Sequence, residues 1–144
     1  MYDRILVPTD GSDGTDAVLD HAIAIAGPHD ATVTALYVVD ERVIRSTTDE
    51  ESSEVRSNLE AAGETALGAA VDRCEAAGVA VDSVVREGTP DREILAIAAD
   101  LDADLIVMGN HGKSPREKVQ GLGSVSEAVV TNAERPVLVV RLGE

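Results

Sequence analysis

The chain contains no phenylalanine and no tryptophan, and its tyrosines are Tyr2 and Tyr37 alone. Proteins that grip single-stranded nucleic acid stack bases on aromatic side chains, so that class of function is excluded. Cysteine is down to Cys74, which excludes an intrachain disulfide and any cysteine-built metal cluster. Lysine is scarce as well: 2 Lys stand beside 10 Arg and 27 acidic residues. The net charge of −15 leaves no basic face for nucleic acid or an anionic membrane to bind. No apolar run reaches membrane-spanning length, and the first residues show no signal-peptide pattern. A cytoplasmic location is the expectation.

What is present is a 144-residue chain with an apolar share of 44%, nearly all of it Val, Ile, Leu and Ala. That suffices for one domain with a real core, spanning 1–144. A carboxylate-rich, lysine-poor surface suits a protein working in molar salt, where screening removes the cost of self-repulsion.

Hydrophobic patterning predicts strands over 4–8, 32–39, 79–86, 105–108 and 137–140. Helical spacing predicts helices from the Thr9-Asp10-Gly11-Ser12-Asp13 turn to about residue 26, over 54–77, from Pro90, and from Ser124. Gly27-Pro28 is read as the stop of the first helix, and Gly78 as the stop of the second. Gly63 and Gly68 either weaken the second helix or let it pack closely. Thr89 is read as an N-cap with Pro90 at the first helical position, and Ser124-Val125-Ser126-Glu127 as a capping box. Residues 40–53, polar and charged, are read as a long loop. Alternating strands and helices force parallel pairing with right-handed crossovers. The fold class is therefore α/β, a doubly wound five-stranded parallel sheet. Such sheets bind ligands beyond the carboxyl ends of their strands.

The segment 104–141 carries the strongest chemical signal. An apolar strand runs into Gly109-Asn110-His111-Gly112-Lys113-Ser114, and Gly123-Ser124 later opens a helix. Glycines let backbone N–H groups approach an anion, and a helix N-terminus adds unpaired donors and partial positive charge. The same glycines also serve plain tight turns. The Walker A loop is excluded, because two residues rather than four separate Gly109 from Gly112. Asp10 is equally a turn former and a ligand. Lys113 either attracts phosphate or faces solvent. His111 is read as a solvated loop residue, since spacing pairs it with no nucleophile or orienting acid. Cys74 is read as buried filler, and Asp49-Glu50-Glu51 as helix-start charge.

Ile5-Leu6-Val7-Pro8-Thr9-Asp10-Gly11-Ser12, the Met108-Gly109-Asn110-His111-Gly112 turn, Gly123-Ser124-Val125 and Arg135-Pro136-Val137-Leu138-Val139-Val140 together resemble the universal stress protein family. The resemblance runs along essentially the whole chain. It implies a Rossmann-like three-layer sandwich of the adenine nucleotide alpha hydrolase-like kind. It also implies ATP as ligand, with Mg²⁺ carried in by the phosphates. Pro8, Thr9 and Asp10 would line the adenosine and ribose side, Val38 would face the adenine, and Met108 and Gly109 would pack near base and ribose. Gly112, Gly123, Ser124 and Val125 would hold phosphates. The family's ATP-binding pattern has nine residues between its second glycine and the Gly-Ser pair; this chain has ten, 113–122. The resemblance further implies a stress-response signalling module, a homodimer through strand 137–141, and a protein partner. Two alternatives stand beside it: a slow ATPase or nucleotidyl-transfer enzyme, and a dimeric interaction module without nucleotide.

Overall fold

Short Val/Ile/Leu runs form the strands because β-branched side chains fit a pleated, buried surface. The computed structural model describes residues 1–12, 14–110 and 122–142. Its elements are β1 (Arg4–Thr9), α1 (Thr15–His29), β2 (Thr32–Asp40), α2 (Glu41–Arg45), α3 (Asp49–Ala76), β3 (Ala80–Gly88), α4 (Pro90–Asp100), β4 (Leu105–Gly109), α5 (Ser124–Asn132) and β5 (Val137–Val140). The five strands are parallel in the order β3-β2-β1-β4-β5. The fold is the doubly wound α/β sandwich that the alternation predicts.

Strand alternation divides the core into two layers. On one face Ile5, Val7, Val33 and Val107 pack with Leu19 and Ala22 of α1 and with Leu67 and Cys74 of α3. On the other, Leu6, Leu36 and Ile106 pack with Ile94 and Ile97 of α4 and Val129 of α5. Each fully buried Ile or Leu contributes about 1.5–3 kcal/mol relative to exposure. Cys74 is fully buried, and burial pushes its thiol up; it is core filler.

Three local expectations are corrected. The first helix does not stop at Gly27-Pro28. Pro28 falls in the last turn of α1, and the chain turns at Asp30 in the left-handed region (φ 54°). The N–H groups of Asp30 and Ala31 return to the carbonyls of Gly27 and Ala26. Residues 40–53 are not a long loop. They hold α2, capped by the Asp40 carboxylate on the Arg42 N–H, and the first turn of α3, capped by Thr48 on the Glu51 N–H. Thr48-x-x-Glu51 has the capping-box pattern, and here the Glu51 carboxylate meets the Thr48 hydroxyl, which donates to Oε1 at 3.1 Å,. The box expected at Ser124 does not form, because Gly123 is the N-cap and Ser124 is already helical.

Polar side chains pin the ends of these elements. Asp104 accepts from the N–H groups of Asp3 (2.8 Å) and Arg4 (3.0 Å), tying the entry of β4 to the start of β1. Arg135 donates to the carbonyls of Ala98 (2.8 Å) and Ala103 (3.0 Å), closing the C-terminus of α4 with a cation,. Among the described residues no helix is long and apolar enough to cross a membrane.

Candidate functional site

The sheet order reverses at β1. The α1 crossover leaves on one face towards β2, and β4 lies on the other side. The ladder between β1 and β4 pairs Ile5 with Leu105 and Leu6 with Ile106. Likewise β1 pairs with β2 only as far as Tyr37, while β2 continues to Asp40 along β3. The strand ends therefore part at the switch point, where a doubly wound sheet opens a crevice. A cleft of about 340 Å³ sits there.

Nine of the ten site residues expected from the sequence border this one cleft. Pro8, Thr9 and Asp10 come from the end of β1 and its turn, Val38 from β2, Met108 and Gly109 from the end of β4, and Gly123, Ser124 and Val125 from the start of α5. Gly112 lies outside the described residues, as do His111 and Lys113.

The cleft has two kinds of wall. Pro8 and Val38 share a wall with Ile94 and Met108, which belong with the α4 and α5 layer of the core. That wall is apolar and suits a flat ring. The opposite wall is polar. Thr9 Oγ1 lies 2.9 Å from Thr15 Oγ1 and accepts from the Gly11 N–H at 3.1 Å. Asp10 Oδ1 accepts from the Ser12 N–H at 2.9 Å, so the carboxylate shapes its own turn while bordering the cleft. Tyr37 lies beside Thr9 in the sheet register.

Besides α2, whose N-cap Asp40 also borders it, three helices begin at the cleft: α1 behind Gly14, α4 at Pro90 and α5 behind Gly123. None of the three receives a side-chain hydrogen bond from its N-cap residue. Glycine supplies no acceptor at α1 and α5. At α4 the Thr89 hydroxyl turns away to donate to Glu41 Oε1 at 3.4 Å. An N-terminus without a capping acceptor keeps its donors and its partial positive charge for another anion. Helices α2 and α3 are, by contrast, capped by Asp40 and Thr48.

Several residues position this site without having been singled out in the sequence. Ser126 is buried, and its hydroxyl donates to the Gly109 carbonyl at 2.7 Å, fixing the β4 turn against α5. The Asn110 carbonyl accepts from the Gly123 N–H at 2.5 Å, and its side-chain oxygen accepts from the Leu142 N–H at 2.9 Å. Asn110 thereby joins the β4 turn, the start of α5 and the chain after β5. Arg42 borders the cleft and forks onto Asp40, with Nε 3.0 Å from Oδ1 and Nη2 2.8 Å from Oδ2. Those bonds hold the Asp40 carboxyl below the usual carboxylate range,. Asn110 stood inside a motif already quoted, but no spacing rule marks a residue that bonds across 32 positions. Among the described residues no group of three or more His, Cys, Asp or Glu could hold a metal.

The universal stress protein family model matches residues 1–141. The universal stress protein MJ0531 of Methanocaldococcus jannaschii is 43% identical over 142 residues, which cover 98% of this chain and 83% of that protein. Among solved structures, MJ0577 of the same organism superposes with a TM-score of 0.88 at 35% identity, over 100% of this chain and 99% of that one. A universal stress protein solved in complex with cAMP superposes with a TM-score of 0.68 at 26% identity, over 97% of each chain.

Proposed function

The chain belongs to the universal stress protein family, and from that premise we propose that it is an ATP-binding stress-response module. The observation that carries this reading is the meeting of three helix N-termini without side-chain caps at one cleft in the sheet switch point. Phosphates fit the α5 end, where Ser124 and Val125 offer first-turn backbone donors and Gly109 and Gly123 a small-residue approach,. Gly112 joins them through the family resemblance. The adenine fits the apolar wall of Pro8, Val38 and Met108, with Thr9 and Asp10 on the sugar side. Mg²⁺ enters as the phosphates' counter-ion, held by phosphate oxygens and water rather than by a cage of protein ligands. The solved relative in complex with cAMP supports the same ligand class.

The decisive experiment is calorimetric titration with Mg-ATP in molar KCl, with Gly112→Val alongside. Micromolar binding that the variant loses, with its melting curve retained, supports the reading. A folded, nucleotide-stripped protein that gives no heat and no shift in melting temperature refutes it.

A second copy of the chain is the proposed assembly partner. The strand β5 is an edge of the sheet, and Val137, Leu138 and Val139 are only half-buried in the single chain. An apolar edge strand of this kind is a template for pairing. Val139 belongs to neither core layer. Val139→Lys is expected to convert a dimer to a monomer in light scattering while keeping the fold; a wild-type monomer removes the proposal.

A further inference from the structure

The polar wall of the cleft contains one group with no structural task. Tyr37 is only 5% exposed, and its ring is pressed by α3: a Cβ added at Gly63 would lie 2.4 Å from its Cδ2. Among the described residues its hydroxyl takes part in no hydrogen bond, yet it is not an enclosed, unpartnered atom. The ring is thus buried while the oxygen opens on accessible space, and Tyr37 borders the cleft. Asp10 borders the same cleft. Burial first, and the Asp10 charge second, hold the phenol above its usual value, so it stays protonated and able to donate,. One Asp10 oxygen holds the Ser12 N–H, and a carboxylate has acceptor sites beyond that one.

A donor and an acceptor bordering one cleft select their ligand. A phosphate offers acceptors only, and Asp10 would repel it. A ring edge fits the apolar wall opposite. A vicinal diol both donates and accepts, and carries no charge. We propose that the Tyr37 hydroxyl and the Asp10 carboxylate together grip the ribose diol of the bound nucleotide, making the cleft selective for ribonucleotides over deoxyribonucleotides. The assignment rests on the nucleotide-binding reading above and adds the residue that reads the sugar.

The test is calorimetry with the Mg complexes of ATP, 2′-deoxy-ATP and 3′-deoxy-ATP, on the wild-type chain and on Tyr37→Phe, which keeps the ring that fills the space below Gly63. Wild-type protein should prefer ATP. Tyr37→Phe should weaken ATP about two- to tenfold, the span of one neutral hydrogen bond, and leave at least one deoxy analogue unchanged. Asp10→Asn gives a second route and should reduce the same preference. No loss in Tyr37→Phe, or an equal loss for all three nucleotides, overturns the assignment while ATP binding stands. Wild-type protein that binds none of the three overturns the nucleotide reading and this assignment with it.

Discussion

Two glycines in α3 offer a matched test of how this helix sets the cleft. Gly68 faces open space: a Cβ added there meets no heavy atom within 4 Å. Gly68→Ala should therefore stabilise the protein by about 0.5–1 kcal/mol through helix propensity and the loss of unfolded-state freedom. Gly63→Ala gains the same term but sets a methyl 2.4, 2.8 and 2.9 Å from three atoms of the Tyr37 ring. That ring is buried between α3 and the sheet and has little room to retreat. Overpacking of this kind costs about 1–3 kcal/mol, so the net effect runs from about neutral to about 2 kcal/mol destabilising. The two variants should differ by about 1–3 kcal/mol, a melting-temperature gap of roughly 3 °C or more per kcal/mol. Urea and thermal denaturation read the gap. Near-ultraviolet circular dichroism reads its cause, because the chain has no tryptophan and one other tyrosine. In a Tyr2→Phe background the tyrosine signal belongs to Tyr37, and it should change in Gly63→Ala alone. Equal stability of the two variants, or an unchanged Tyr37 signal in Gly63→Ala, would refute the claim that α3 presses this ring towards the cleft.

Arg135→Ala should destabilise by roughly 2 kcal/mol in urea denaturation, since two charge-assisted bonds to Ala98 and Ala103 are lost at a mostly buried guanidinium,. Both bonds come from the single Nη1, so Arg135→Lys, which keeps a cationic nitrogen with several donors, should recover part of that,. Asp104 is held below the usual carboxylate range by the N–H groups of Arg4 and Asp3. Its contribution is fully present above the ordinary carboxylate range and is lost as pH falls through the lowered folded value. The melting-temperature gap between wild type and Asp104→Asn should thus be open at neutral pH and close in strong acid; a gap that persists there would contradict the assignment. Melting temperature should rise from low to molar KCl, and a flat curve would remove the high-salt reading of the surface.

The strands were legible because strand and helix periods alternate cleanly along the chain. Ile5, Leu6 and Val7 pack on both faces of the sheet, and a continuous apolar run announces a strand covered on both sides. The candidate cleft was legible where Gly109 ends a strand and where Gly123-Ser124 opens a helix. Residues 40–53 were misread because α2 buries only Ile44 and the first turn of α3 buries nothing. Capping and first-turn charge hold that stretch helical, and hydrophobic periodicity does not register either. Pro28 was overvalued for a related reason: late in the last turn it forfeits few helical bonds. Asn110, Ser126 and Tyr37 act through partners 17 to 32 positions away, or through a helix laid across them. Such pairings become visible only once the strands have an order.

The net charge and the proposed ligand look opposed, since a chain at −15 is asked to hold a polyanion. Distance resolves the conflict. Carboxylates on the outer surface act through water, and at molar salt their field decays within about 3 Å. Backbone N–H groups in the first turn of α5, at Ser124 and Val125, would act on a phosphate in direct contact, inside the screening length. In the proposed mode the three uncapped helix ends supply positive potential inside the cleft, and the surface only its background,. Side-chain cations are not needed for this, and the chain, with its 2 lysines, has little to spend on them. The same division would let Asp10 border a cleft proposed to bind phosphate. It borders the cleft with Thr9 and Tyr37, where, in the proposed mode, a carboxylate would serve an uncharged sugar better than a cation would. An acidic exterior and the proposed anion-binding cleft are compatible because helix N-termini can supply positive potential from the backbone.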